Sequence, residues 1–404
     1  MKQPTHAGAG PGPRKAARGR RLVTVMLCLA SLALGIAWGI LSVQYPIINP
    51  VAVIRPPFGG DRQVNVLLLG VDDIKHTGGL SDTIMIASLD LQHDRIGVIS
   101  IPRDFRVEIP RHGRNKINAA YSLGGLDLSI ETVERMLQVA GYGSSHRIDH
   151  YMACSFKGFR QVVDAMGGVD IDVEKRMHYR DRSQNLYINL QPGRQRLDGE
   201  QALGYVRFRH TDNDLRRIDR QQKFLLEAAR QMLEPRRIAR LPAVLSTLVR
   251  SVETDMTLRD LDSVRRLVEK VGVSNIEMVQ LPGVPTMAHG VSYLDPDWVM
   301  ASRLISYIVD NQGPRVEVLN GTSVEGLGQR SADRLLASGY EVTRVADAGY
   351  MHDSSRIIDH VGWPTQAKRI AKLLNCGRVV RHGKPNEWAD ITVIVGRDYA
   401  SVAE

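Results

Sequence analysis

Five arginines crowd the stretch YVRFRHTDNDLRRIDRQQ, residues 205 to 222: Arg207, Arg209, Arg216, Arg217 and Arg220, interleaved with Asp212, Asp214 and Asp219. Arg207 and Arg209 are two apart, so on a strand both project from one face while Val206 and Phe208 take the other. The chain then turns through HTDND, where Asp212 or Asp214 can cap a helix. Along LRRIDRQQKFLLEAARQML, Leu215, Ile218, Leu225, Ala229 and Met232 mark the buried side, and Arg217 and Gln221, four apart, share a face. Both lie in the first turns, where backbone N–H groups and the helix dipole favour an anion. A strand end and a helix start would thus bring three arginines and a glutamine to one point. The planar fork of arginine binds phosphate oxygens in pairs, where lysine is a point charge. The spacing leaves a second reading open, in which the arginines pair with the interleaved aspartates on a solvated surface.

An acidic set lies more than a hundred residues earlier. Asp72 and Asp73, in GVDD, follow the first apolar run, and Asp82, in LSDT, precedes the next. Carboxylates at neighbouring strand ends suit Mg²⁺, which takes oxygen ligands and shares phosphate oxygens, in the region where α/β sheets bind ligands. A lone Asp there can equally cap a turn. Arg103 and Asp104, in IPRDF, follow a strand expected beside the first, and Lys116 in RNKINAAY precedes a helix. The sequence contains no GxxxxGK[ST], GxSxG or HExxH, nor a GxGxxG between strand and helix, which removes nucleotide hydrolases, serine hydrolases and zincins.

The elements that must position these residues read as alternating α/β. VNVLLLG is a near-continuous apolar run, as in a strand covered on both faces, and TIMIASL and IGVISI form a hairpin beside it. LDLSIETVERMLQVAG is a helix stopped by Gly141, HYMAC a strand, SFKGFRQVVDAM a helix capped by Ser155, and GGVDIDV a strand. DGEQALGYVRFRH passes from a short helix capped by Asp198 into a strand. The expected fold is a mixed central sheet sandwiched between helices. At residue 314 the pattern restarts as a small C-terminal α/β domain, with VEVLN, YEVTRV and ITVIVG as strands.

Of the 53 basic residues in 404, six (Lys2, Arg14, Lys15, Arg18, Arg20, Arg21) lie in the first 21 positions without an acidic one, leaving 47 against 44 acidic. The net charge of +9 is therefore largely a tail, and no nucleic-acid partner is expected. Leu22–Val43 carries no charge and is long enough for a transmembrane helix; a signal peptide or a core helix fits its length less well. RGRR on its N-terminal side places that end in the cytoplasm. The expected layout is a cytoplasmic tail (1–21), a single-pass anchor (22–43), a Pro-rich spacer (44–60), a catalytic domain (61–313) and the C-terminal domain (314–398), with everything after the anchor extracytoplasmic. Cys28 lies in the anchor, and no Cys/His cluster supports zinc; Cys154 and Cys376 are expected unpaired.

The segments NVLLLGVDD, SDTIMIASLD, ISIPRDF, KINAAYSLGG, FKGFRQVVDAMGGVDIDV, LQPGRQRLDGEQALGYVRFRH and RRIDRQQ together resemble the LytR–CpsA–Psr family of bacterial cell-envelope proteins. The resemblance covers about residues 64 to 235, and residues 314 to 398 resemble a C-terminal domain that many members carry. It implies a phosphotransferase in the bacterial cell membrane, moving a glycopolymer from a polyprenyl-diphosphate carrier to peptidoglycan through a phosphodiester. A lipid-diphosphate pyrophosphatase activity is compatible with it. By motif, Arg207, Arg209, Arg217 and Gln221 match the diphosphate-binding set, Arg103 another site arginine, Lys116 a polar site residue, and Asp72 and Asp82 the carboxylates for Mg²⁺, or Mn²⁺ in its place. Arg216 and Arg220 match nothing and are expected to pair with the interleaved aspartates. Asp104 or Asp82 is the candidate base. The family also binds the prenyl chain in an apolar channel. The alternative is a non-catalytic, membrane-anchored regulatory or binding protein of the attenuator kind. Loss of the arginine or aspartate set would favour it, and none of those positions is lost.

Overall fold

The computed structural model describes residues 56–72, 79–141, 147–181, 186–208, 214–310, 312–381 and 386–400. Leu22–Val43, Asp73 and Arg209 lie outside the described residues. Among the described residues no helix is long and apolar enough to cross a membrane. Residues 1–60 and 61–404 form separate units; in the first, Pro57–Gly60 makes a single 3₁₀ turn.

In the second unit the apolar runs become β1 (Gln63–Val71), β2 (Ser81–Asp90) and β3 (Arg95–Ile101), followed by the hairpin β4 (Arg106–Ile109) and β5 (Gly113–Lys116). Helix α1 (Ala119–Val139) leads to β6 (His150–Ser155), α2 (Phe156–Met166), β7 (Val169–Val173), the hairpin β8 (Met177–Asp181) and β9 (Leu186–Leu190), and β10 (Gly193–Leu197). Then come α3 (Gly199–Arg207), α4 (Asp214–Met232), α5 (Pro235–Ile238), α6 (Leu241–Ser251), β11 (Val252–Thr254), α7 (Leu258–Val271) and β12 (Glu277–Gln280). The hairpin β13 (Gly283–Ala288) and β14 (Val291–Pro296) and helix α8 (Trp298–Val309) complete this lobe.

Among the described residues six strands form the central sheet, in the order β11-β6-β1-β2-β3-β12. β2 is antiparallel to both β1 and β3, while β6 runs parallel to β1 and β12 to β3. β3 therefore lies beside β2 rather than beside β1, since the three strands pair in chain order. It still runs parallel to β1, so both end at the same edge. β7 is not part of this sheet and pairs with β10.

The two-residue period of the strands splits their side chains between the two faces. Leu67, Leu69, Ile84, Ile86, Ile99 and Ile101 pack into one core with α1 and α8. Leu68, Met85, Met152 and Cys154 turn the other way, toward a cavity that α2, α3 and α4 also line. α2 starts where Ser155 Oγ accepts from Gly158 N–H at 3.1 Å, and it ends at Gly167 in the left-handed region. α1 begins earlier than expected, at Ala119, because the chain bends at Gly124 and Gly125 instead of starting there.

The C-terminal lobe holds β15 (Arg315–Asn320), α9 (Leu327–Ala337), β16 (Glu341–Asp347), β17 (Arg356–Asp359), α10 (Pro364–Leu373), β18 (Val379–Arg381) and β19 (Ile391–Val395). Its sheet runs β16-β15-β19-β17-β18 among the described residues. The lobe shares its core with the first. Trp363 stacks on Tyr307 of α8 with ring centroids 4.3 Å apart. Buried Glu277 on β12 accepts from Gln366 Nε2 at 3.0 Å and pairs with Arg369 at 2.8 Å. Burial pushes the Glu277 carboxyl above its usual range, and the Arg369 charge opposes that most. Trp363 is 2% exposed, so Trp363→Ala should cost about 3–5 kcal/mol in chemical denaturation. Because the core is continuous, both lobes should unfold in one transition.

Candidate active site

A cavity of about 620 Å³ lies between the second face of the sheet and helices α2, α3 and α4. Its walls are apolar, with Leu68, Met85, Met152, Phe159, Phe224 and Leu225 among them, while Asp82, Arg103, Arg207, Arg217 and Gln221 bring charge and polarity to its lining. Leu225, expected on the buried side of α4, is 39% exposed; it faces this open space. Phe224, at 3%, takes the buried position instead.

Asp82 owes its place to the sheet. Gly70 pairs with Thr83 and Val71 with Ser81, so Asp82 is the extra residue of a bulge at the start of β2, and bulges re-aim side chains at sites of this kind. Its carboxylate accepts from Arg103 Nη1. Arg103, in the turn after β3, also lies 3.7 Å from Asp104 through its Nε. Lys116, at the end of β5, donates to Asp104 Oδ1 at 2.7 Å. The β4–β5 hairpin, absent from the sequence reading, carries that lysine into the cluster.

Asp72 follows β1 directly. Its residue is exposed, yet the protein crowding its carboxyl and then the neighbouring Asp82 charge raise its pKa, while Arg207, Arg103 and a hydrogen bond from Leu80 N–H oppose the rise. Asp72, Asp82, Arg103 and Arg207 therefore form one electrostatic group. Among the described residues no set of three or more His, Cys, Asp or Glu side chains gathers as a metal cage. Two carboxylates that repel one another beside a phosphate-sized cationic cluster are nevertheless a donor set that suits a hard cation keeping several waters.

Arg207 is not on a strand. It ends helix α3, which Asp198 opens through a reciprocal capping box with Gln201. The alternation Val-Arg-Phe-Arg imitates a strand, but Tyr205 (0% exposed) and Phe208 (1%) bury the same face three residues apart, the spacing of a helical turn. The Arg207 guanidinium lies 4.1 Å from the centroid of the Phe156 ring, which leaves it held from the side by an aromatic contact. Arg217 and Gln221 stand in the first two turns of α4, as their spacing predicts, and Arg217 is 4% exposed.

Arg216 and Arg220 both act on Asp219, one of the interleaved aspartates, through their charge. Arg216 is exposed. Arg220 is buried and donates from Nε to Tyr205 O at 3.3 Å and from Nη2 to Phe208 O. It serves the end of α3, although its charge also reaches Asp219. Sequence reasoning missed this because a buried arginine is rare. It also missed Phe156, whose place at the first turn of α2 next to the Ser155 cap was the available signal. Among the described residues Cys154 and Cys376 are free thiols, and burial pushes Cys154 up to about 12, which removes it as a nucleophile.

Comparison with known proteins agrees with this geometry. Residues 50–304 match the LytR_cpsA_psr family, and residues 314–399 match the domain described as LytR cell envelope-related transcriptional attenuator. The chain is 32% identical over 203 residues to "Regulatory protein MsrR" of Staphylococcus aureus (strain COL), which is 50% of this chain and 58% of MsrR. The chain thus spans less than two thirds of that relative. It is 35% identical over 238 residues to "Polyisoprenyl-teichoic acid--peptidoglycan teichoic acid transferase TagU" of Halalkalibacterium halodurans, 57% of this chain and 73% of TagU. The crystal structure of Bacillus subtilis TagV superposes with a TM-score of 0.54 at 27% identity, covering 62% of this chain and 98% of TagV. With the family match spanning the cavity, the acidic bulge and the arginines, the chain belongs to the LytR–CpsA–Psr family.

Proposed function

We propose that the protein is a membrane-anchored phosphotransferase that moves a glycopolymer from a polyprenyl-diphosphate carrier to peptidoglycan through a phosphodiester bond. The observation that carries this reading is a single cavity joining apolar walls to Arg103, Arg207, Arg217 and Gln221. A long hydrocarbon chain with a diphosphate head matches both halves. TagU and TagV are named as polyisoprenyl-teichoic acid–peptidoglycan teichoic acid transferases, and TagV shares the fold, while MsrR is named regulatory. A purely regulatory role, the second reading, leaves the arginines and the cavity without a use.

In the proposed reaction the acceptor hydroxyl oxygen bonds to the sugar-linked phosphorus, and the bond from that phosphorus to the lipid phosphate breaks. Polyprenyl phosphate leaves. The chain's own contribution is positioning and neutralisation of developing oxygen charge. Arg207, with Arg209 two residues on, and Arg217 bind the diphosphate oxygens in this scheme, and Gln221 donates a neutral hydrogen bond. Arg103 lies between Asp82 and Asp104; these two carboxylates are the candidate proton acceptors. Lys116 orients Asp104. Asp72 and Asp82 would hold Mg²⁺ or Mn²⁺, which supplies Lewis-acid neutralisation of phosphate charge when bound. Leu22–Val43 would anchor the chain with its N-terminus in the cytoplasm and the catalytic lobe outside.

The cavity offers a direct test. Ala228 lines it, so Ala228→Trp should fill the space for hydrocarbon without touching a charged group. The expected outcome is a loss of affinity for farnesyl diphosphate of at least about tenfold, the scale set by a few displaced CH₂ contacts. Inorganic diphosphate should bind the variant as it binds the unaltered protein. Equal binding of the prenyl ligand by both proteins would remove the cavity from the account.

A further inference from the structure

We propose that Arg220 is a positioning residue for Arg207: a buried guanidinium on α4 that clamps the carbonyl end of α3 and so sets where the site arginine stands. A helix leaves its last carbonyls without partners inside the helix. Here side chains of the next helix take them. Tyr205 O accepts from Arg220 Nε at 3.3 Å, Phe208 O accepts from Arg220 Nη2, and Val206 O accepts from Gln221 Nε2 at 3.4 Å. Arg207 lies within that clamped turn, half-buried over the Phe156 ring.

Arg220 itself is 5% exposed, sits 5.6 Å from the Phe208 ring centroid, and is not part of the cavity lining that contains Arg207, Arg217 and Gln221. A cation at a helix C-terminus is favourable in itself. Only a forked side chain reaches two carbonyls three residues apart, which separates arginine from lysine here. The same turn has a second anchor, where Tyr205 Oη donates to Glu174 at 2.8 Å and Lys223 holds Glu174 at 2.5 Å. The α3 end is therefore fixed twice by α4, and Arg220 is the member next to the site. Its catalytic consequence rests on the phosphotransferase reading; the clamp does not.

The test uses the full-length protein in lipid nanodiscs with Arg220→Met, Arg220→Lys, Arg207→Ala and the Arg207→Ala/Arg220→Met double variant. Transfer of a lipid-diphosphate-linked glycan to peptidoglycan fragments should fall about 100-fold in Arg220→Met, the scale of a small misplacement of a catalytic group. The double variant should be no slower than Arg207→Ala alone, because Arg220 acts through Arg207. Amide hydrogen exchange over Val206–Phe208 should quicken in Arg220→Met and stay unchanged in Arg207→Ala. Arg220→Lys, the folded control if the methionine variant does not fold, should keep the melting temperature but not the full rate. Losses that multiply in the double variant would make Arg220 a substrate ligand and overturn the proposal, as would unchanged exchange in both Arg220 variants. If the unaltered protein transfers no lipid-linked glycan, the phosphotransferase reading fails, and the exchange comparison still decides the clamp.

Discussion

Arg207→Ala should lower glycopolymer transfer by about 10²–10³-fold, the range for removing one preorganised charge donor from a transition state. The protein should remain folded. Arg207 ends α3 and touches Phe156 through a cation–π contact, which contributes about 0.5–1 kcal/mol at a partly exposed site. The loss of rate therefore exceeds the loss of stability by a factor that a kinetic assay beside a thermal melt resolves. Arg207→Lys should recover little, because a point charge does not reproduce paired contacts to phosphate oxygens. Near-normal rates in both variants would take Arg207 out of the site. Arg209 carries the same expectation from its sequence position alone.

The second large effect concerns the carboxylates. Asp72→Ala/Asp82→Ala should abolish stimulation by Mg²⁺ and weaken Mn²⁺ binding, followed by paramagnetic resonance, by about 10²–10⁴-fold. That range follows from about 1.5–3 kcal/mol for each contact to a charged group lost. The double variant also strips Arg103 of its Asp82 partner. Asp82→Asn separates the two effects, since it keeps an acceptor for Arg103 while removing a charge. If Asp82→Asn binds Mn²⁺ as the unaltered protein does, the bulge residue holds Arg103 and no metal.

The sequence carried the frame of the catalytic lobe because its central strands are long apolar runs. β1, β2, β3 and β6 fall where VNVLLLG, TIMIASL, IGVISI and HYMAC stand, and the caps Ser155 and Asp198 were readable by type. The short pairs β4–β5 and β8–β9 were not. RVEI and GRNK are four residues each, too brief for a period to show, and their pairing is fixed by the neighbours they meet in space.

At the site, residue types were more legible than their backbone. Arg103, Arg207, Arg217, Gln221, Asp72 and Asp82 do converge, yet Arg207 arrives from a helix end where alternation suggested a strand. Local pattern lost to tertiary burial: Tyr205 and Phe208 both sink into the core beneath α3. The apolar channel was out of reach for a related reason. Its lining comes from β1, β2, β6 and the β8–β9 hairpin and from helices α2, α3, α4 and α6, and no single segment signals a space left between layers. The joining of the two lobes through Tyr307, Trp363 and Glu277 likewise depends on partners far apart in the chain.

In the proposed reaction one cavity presents a lipid diphosphate to an acceptor hydroxyl. The measurement that meets it most directly follows the full-length protein in proteoliposomes, with Mg²⁺, a polyprenyl-diphosphate glycan carrying ³²P in the sugar-linked phosphate, and peptidoglycan fragments. The label should appear in peptidoglycan as a phosphodiester while unlabelled polyprenyl monophosphate is released in equal amount. Label retained with the released lipid, or label absent from peptidoglycan while the lipid diphosphate binds normally, would contradict it.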